Sequence, residues 1–169
     1  VSAPAQYFRA GVGSVIVDDR GLVLAMERVD IPGAWQLSQG GLESSEEPLS
    51  AALREIAEET GIPETDLELV DSYPEPLVYE LPANARSEKT GRGQVQYWLL
   101  FRFLGNDKTI DVKNGGEFRT WKWMPFHSLL KSVVDFRKPI YQKLVEQFWR
   151  YIYQSEDALP NNDTFSKFD

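Results

Sequence analysis

Residues Pro48–Thr60 constrain this chain most, because one helix has to satisfy two opposed demands. Pro48 stands in the first turn, Gly61 follows the last and Pro63 blocks continuation, which punctuates a helix at both ends. At about 100° per residue, Leu49, Ala52, Leu53 and Ile56 form an apolar stripe expected to face a core. Glu55, Glu58 and Glu59 repeat the same spacing about 120° further round, so three carboxylates share one face beside the buried edge. Each like-charge pair at this spacing costs a few tenths of a kcal/mol. The carboxylates also sit toward the C-terminal half, where the helix dipole disfavours anions. A divalent cation offsets both penalties, and carboxylate oxygens select Mg²⁺ or Mn²⁺. Taken alone, the helix also fits a solvated acidic face.

The charge of the whole chain leads to the same place. The 169 residues carry a formal net charge of -8, and the window Glu43–Glu68 holds nine acidic residues against the single base Arg54. Residues 76–169 are mildly basic, so a broad basic nucleic-acid surface is disfavoured. There is no cysteine, which excludes a disulfide scaffold, a thiolate metal site and a cysteine nucleophile. No apolar run approaches a membrane span, and Val1–Gln6 shows no secretory pattern, so a cytoplasmic protein without membrane contact is expected. The length suits one domain, placed at residues 1–153, with 154–169 as a polar C-terminal tail.

Strands are expected at Arg9–Val17 and Leu22–Glu27, joined by the turn Asp18–Gly21, and at Leu67–Tyr73, Leu77–Leu81, Gln94–Phe103 and Phe118–Met124. Ile31–Gln39 reads as a loop with a short extended piece, and Pro82–Gly93 as a mobile loop. Trp121 and Trp123 are assigned to opposite faces of their strand, with core packing as the default. A second amphipathic helix is expected at Pro139–Tyr153. Strands with two helices give an α+β class with helices packed on a mixed sheet. The single histidine, His127, reads as a capping or surface residue.

Gly40, Glu46 and the run Arg54-Glu55-Ile56-Ala57-Glu58-Glu59-Thr60-Gly61-Ile62 match the spacing G-x5-E-x7-R-E-U-x-E-E-x-G-U, with U apolar, at every fixed and apolar position. The chain therefore resembles the Nudix hydrolases. The resemblance implies an α/β/α sandwich with a mixed β-sheet and a loop-helix-loop catalytic motif. It also implies Mg²⁺-dependent cleavage of a nucleoside diphosphate linked to another group. By motif position, Glu58 and Glu59 are the main metal ligands and Glu55 a further ligand or water contact. Arg54 is expected to orient a glutamate through a forked hydrogen bond. Gly40 and Gly41 are expected to let the backbone turn tightly, and Glu46 to be structural.

Further segments narrow the resemblance to the asymmetric dinucleoside tetraphosphate hydrolases and the related RNA 5′ pyrophosphohydrolases. These are Asp30–Gln36 before Gln39-Gly40-Gly41, then Gly93–Trp98, Glu117–Trp123 and Val134–Tyr141. They imply Glu117 as a fourth carboxylate, ligand or general base, and Tyr79 and Phe136 as base-stacking aromatics. Arg9 and Arg28 are implied as phosphate contacts, with Gln39, Gly40, Gln94 and Arg137 at the substrate site, Arg137 keeping positive charge where lysine is usual. Two departures stand out. Ser38 replaces a usual proline, which should loosen the loop entering the motif, and Tyr97 replaces a usual lysine. The leading expectation is hydrolysis of diadenosine tetraphosphate to nucleoside triphosphate and monophosphate. The alternative is removal of pyrophosphate from triphosphorylated RNA ends. Nothing in the sequence forces more than a monomer.

Overall fold

The computed structural model describes residues 7–153, so the expectations for Val1–Gln6 and for the tail 154–169 lie outside the described residues. Among the described residues the strands are β1 (Phe8–Val17), β2 (Val23–Arg28), β3 (Trp35–Gln36), β4 (Ser38–Gly41), β5 (Leu67–Ser72), β6 (Leu77–Glu80), β7 (Gly93–Phe103) and β8 (Phe118–Met124). The helices are α1 (Pro48–Thr60), between β4 and β5, then α2 (Phe126–Ser132) and α3 (Lys138–Ile152) after β8. All strands join one mixed sheet. β1 and β7 run parallel from Phe8 opposite Gly93 to Val17 opposite Arg102. The other pairings are antiparallel.

The hairpin of β1 and β2 opens as it leaves its turn. Asp18 holds that turn by accepting the N–H groups of Arg20 at 2.9 Å and Leu22 at 3.0 Å. The two strands then pair only at Val17 and Val23. Beyond that point β1 pairs with β4, from Gly11 opposite Gly41 to Ser14 opposite Ser38, while β2 pairs with β3 and β8. Leu37 crosses between β3 and β4, and its N–H donates to the buried Tyr141 hydroxyl at 2.9 Å. Burial pushes that hydroxyl up to about 12, so it stays neutral.

Alternate residues of the same strands feed two cores, as the two-residue period of a pleated strand requires. Val12, Ile16, Leu24, Met26, Leu99 and Phe101 pack with Ala52 and Ile56 of α1. Val15, Val17, Val23, Ala25, Trp98 and Leu100 pack under Phe126 and Leu129 of α2 and Ile140, Tyr141, Leu144 and Phe148 of α3. Each large side chain so buried contributes about 1.5–3 kcal/mol relative to exposure. This is the expected α/β/α sandwich.

Four local expectations change. α1 is rolled on its axis: Leu49 is 39% exposed, while Ala51, Ala52, Ile56, Glu59 and Thr60 are buried. α2 is a third helix. Its seven residues are too few for periodicity to register, and Pro125 before it reads as a break. His127 sits half-buried on α2 with Nδ1 unpartnered and provides no cap. Trp121 and Trp123, two residues apart, share a face of β8 and meet edge to face at 6.1 Å.

Candidate active site

The four residues of β4 divide the site. Ser38 and Gly40 face α1, and Gln39 and Gly41 face the α3 side. The Glu55 carboxylate lies directly over Gly40, where any Cβ would collide with it. Gly40 has an ordinary extended backbone, so it is a clearance for Glu55 and not the tight turn expected of it. Gly61 does need the left-handed region: its φ of 71° ends α1, and its N–H donates to Ala57 O at 2.9 Å. Ser38 is 2% exposed and paired to Ser14 in the sheet. The replacement of proline thus places a hydroxyl beside Glu59 at a buried, sheet-paired position.

Glu55, Glu58, Glu59 and Glu117 line one cavity of about 120 Å³ with Gly115 and Phe118. The helix supplies three of them at one-turn spacing. The β8 entry supplies Glu117, held in place by its carbonyl accepting the Val29 N–H at 2.9 Å. Glu59 is 6% exposed. Burial raises its pKa well above the ordinary carboxylate range despite the Ser38 hydroxyl and Gln39 N–H beside it, and the charges of Glu55 and Glu117 push the same way. Neither Ser38 Oγ nor Glu59 Oε2 completes a hydrogen bond. Glu55 is raised too, first by burial, against the pull of Arg54.

Arg54 organises this acidic wall. Its Nε and Nη2 donate to Glu46 Oε2 and Oε1, both at 2.8 Å, and Nη2 also reaches Gly41 O at 2.9 Å. Its Nη1 donates to Glu55 Oε1 at 2.8 Å and lies 3.5 Å from Glu58 Oε2. The fork, with the Glu43 N–H, holds Glu46 down at about 2. Among the described residues no three carboxylates or histidines stand grouped at metal-binding distances, and Arg54 engages two of the four. The donor set nevertheless fits a hard divalent cation: four carboxylates on one small cavity, one of them buried with an orphaned oxygen.

A cleft of about 580 Å³ opens from the same cavity, sharing Glu117 and Phe118 with it. Arg9, Arg28, Gln39 and Arg137 line it, together with Val29, Asp30, Gln36, Lys89, Thr90 and Gly116. The Arg9 guanidinium lies against Gly41. Arg28 donates to both oxygens of Asp30, at 2.8 and 2.6 Å, and draws its pKa down. Arg137 Nη1 donates to Gln36 Oε1, and Gln39 Oε1 is buried without a partner.

Four expected substrate residues fall outside the cleft lining. Gly40 is turned to α1. Gln94 accepts from Gln96 Nε2 at 3.0 Å. Tyr79 is 7% exposed and its ring stacks on Phe136, centroids 5.7 Å apart, so each covers the other's face. As placed, the two rings occupy each other's faces, so stacking a base between them requires them to separate. Sequence reasoning missed Gln36, Lys89 and Thr90. Gln36 lay inside the quoted Asp30–Gln36 segment, whereas Lys89 had no local signal.

A carboxylate cavity adjoining a cation-bordered cleft fits the hydrolysis of a phosphoric anhydride. The profile of the NUDIX domain matches residues 7–144, and the chain belongs to that family and is a pyrophosphohydrolase of it. It is 40% identical over 146 residues to an RNA pyrophosphohydrolase of Zymomonas mobilis, covering 83% of this chain and 94% of that protein. An RNA pyrophosphohydrolase of Cereibacter sphaeroides is 38% identical over 146 residues, covering 83% and 90%. In fold, the chain resembles the E. coli dihydroneopterin triphosphate pyrophosphohydrolase, with a TM-score of 0.68 at 20% identity over 84% of this chain and 99% of that one.

Proposed function

We propose that this enzyme removes pyrophosphate from the 5′ triphosphate end of RNA, which reverses the order favoured by the sequence alone. The observation that carries the reading is the 38–40% identity, over most of both chains, to proteins named RNA pyrophosphohydrolases. The cleft is consistent with it, being open and bordered by cations at the mouth of the splayed β1–β2 hairpin. The net charge of -8 is no obstacle, because gripping only a 5′ end requires few basic residues.

Glu55, Glu58, Glu59 and Glu117 would hold Mg²⁺, which when bound would supply charge neutralisation for phosphate oxygens and lower the pKa of a water. Glu58 or Glu117 accepts the proton of that water as it adds to phosphorus. The anhydride bond then breaks, releasing pyrophosphate and leaving a 5′ monophosphate. Arg54 holds Glu55 in place, and Arg9, Arg28, Arg137 and Gln39 bind the polyphosphate chain.

The test compares kcat/KM for a 5′-triphosphorylated oligonucleotide and for diadenosine tetraphosphate under the same Mg²⁺ conditions. A preference for the oligonucleotide of about tenfold or more, a difference of about 1.4 kcal/mol, is expected. Preference for the dinucleotide overturns the reading.

A further inference from the structure

The cations of the cleft are not equivalent. Arg28 is held by the two oxygens of Asp30, and Arg137 by Gln36. Arg9 and Lys89 line the same cleft with no side-chain hydrogen bond or ion pair among the described residues. Lys89 arrives from a different part of the chain, the connection between β6 and β7.

That connection is built from its own bonds. The Ser87 N–H donates to Thr90 Oγ1 at 2.9 Å, the Thr90 N–H to Ser87 Oγ at 3.1 Å and the Gly91 N–H to Ser87 O at 2.8 Å. This closes a short turn with Lys89 near its tip. Arg86 and Arg92, the neighbouring cations, both turn to Glu80, at 3.3 and 3.0 Å, and Arg86 Nε also donates to Leu81 O at 2.8 Å. Glu80 is thus engaged by the arginines, and Lys89 forms no ion pair with it or with the adjacent Glu88, which leaves its ammonium to the cleft. An exposed lysine so placed offers a mobile point charge suited to a phosphate.

We propose that Lys89 is a substrate-binding residue that holds a phosphate other than the one attacked. The assignment away from the reacting phosphorus follows from position: Lys89 lines the cleft, but not the 120 Å³ cavity formed by the four carboxylates. A contact made equally in the ground and transition states raises affinity without raising turnover, so its loss appears in KM. The inference rests on the reading of the cleft as a nucleotide polyphosphate site.

The test uses Lys89→Ala, Lys89→Arg and, as a control on a distant surface turn, Lys108→Ala. Each is assayed with the triphosphorylated oligonucleotide and with diadenosine tetraphosphate, and titrated calorimetrically with inorganic tripolyphosphate. For Lys89→Ala, KM and the tripolyphosphate Kd should rise about tenfold, the loss of one charged hydrogen bond, with kcat changed less than about twofold. The slope of log kcat/KM against log salt should become shallower by about one. Lys89→Arg should restore most of the affinity, and Lys108→Ala should match the wild type. Unchanged KM and tripolyphosphate Kd in Lys89→Ala would overturn the proposal, as would a fall in kcat at constant KM. If the wild type cuts only the dinucleotide, the RNA reading fails, and the Lys89 effect is judged on that substrate and on tripolyphosphate. If RNA ends are cut and Lys89→Ala is silent, only the inference about Lys89 fails.

Discussion

Arg54 and Glu46 are joined by two parallel hydrogen bonds of 2.8 Å, and the remaining nitrogen of the same guanidinium grips Glu55. Glu46 thereby fixes the rotation of Arg54, and Arg54 fixes a carboxylate of the proposed metal site. Lysine keeps the charge but lacks the planar fork. Arg54→Lys should lower kcat about 10–100-fold, the usual cost of losing a partner that orients metal ligands. Circular dichroism should show a folded protein, and steady-state kinetics with unchanged kcat would contradict the positioning assignment.

Glu58 is the most exposed of the three helix carboxylates, with 60% of its side chain accessible. Its replacement should cost little stability, since surface substitutions usually fall within about ±0.5 kcal/mol. Glu58→Gln should abolish turnover, by more than about 100-fold if it holds metal or takes the proton of water. A melting temperature near wild type with lost activity is the expected pair of results. Undiminished turnover would remove Glu58 from the metal set.

Glu59 and Glu46 depart from the ordinary carboxylate range in opposite directions, and their pH signatures differ in sign. Glu46 is depressed to about 2 from 4.5, so its contribution is present above 4.5 and is lost as pH falls toward 2. Glu59 is raised, so in the metal-free protein its ionisation opposes folding, and stability falls as pH climbs through its folded pKa. Glu59→Gln should therefore raise the melting temperature of the metal-free protein at pH 8 while impairing Mg²⁺-dependent hydrolysis. Thermal melts in EDTA across pH 5–9 follow the first effect, and a wild-type advantage at pH 8 would refute it.

Gly40 lies beneath the Glu55 carboxylate with no room for a methyl group. Gly40→Ala must displace a carboxylate that Arg54 holds, which should cost about 1–3 kcal/mol of stability and reduce kcat along with it. Gly33→Ala is a useful contrast: its Cβ meets nothing, and its φ of 83° gives a purely backbone penalty. Urea melts of both variants, read beside kcat, separate the steric effect at the site from general destabilisation.

Most of the chemistry was legible before the fold. The bounds of α1 and the shared face of Glu55, Glu58 and Glu59 follow from residue types at short spacings, where local geometry decides, whereas Glu117, the Arg54 fork and the cleft arginines were implied only by the resemblance. The departures lie where a distant partner decides. α1 is rolled because β4 lies beneath it, turning Glu59 inward and Leu49 outward. Tyr79 meets Phe136 through packing across the α3 side of the sheet, which no local pattern announces. Gly40 looked like a turn because glycine is usually read through its backbone freedom; here the missing side chain is what matters. Lys89 reaches the cleft only because the β6–β7 connection folds over it.

The parallel pairing of β1 with β7 bears on how the chain emerges during synthesis. β4, the wall between the carboxylate cavity and the cleft, is bonded to one side of β1, and β7 closes the other side through Gly93–Arg102. A nascent chain ending before Gly93 would carry the complete motif from Gly40 to Ile62 on a β1 whose long edge is unpaired. Such an edge is a template for association with other chains. The N-terminal half is thus exposed to misassembly on the ribosome until the second half has emerged. Competence to bind metal and substrate should appear as one late, cooperative event and not accumulate residue by residue.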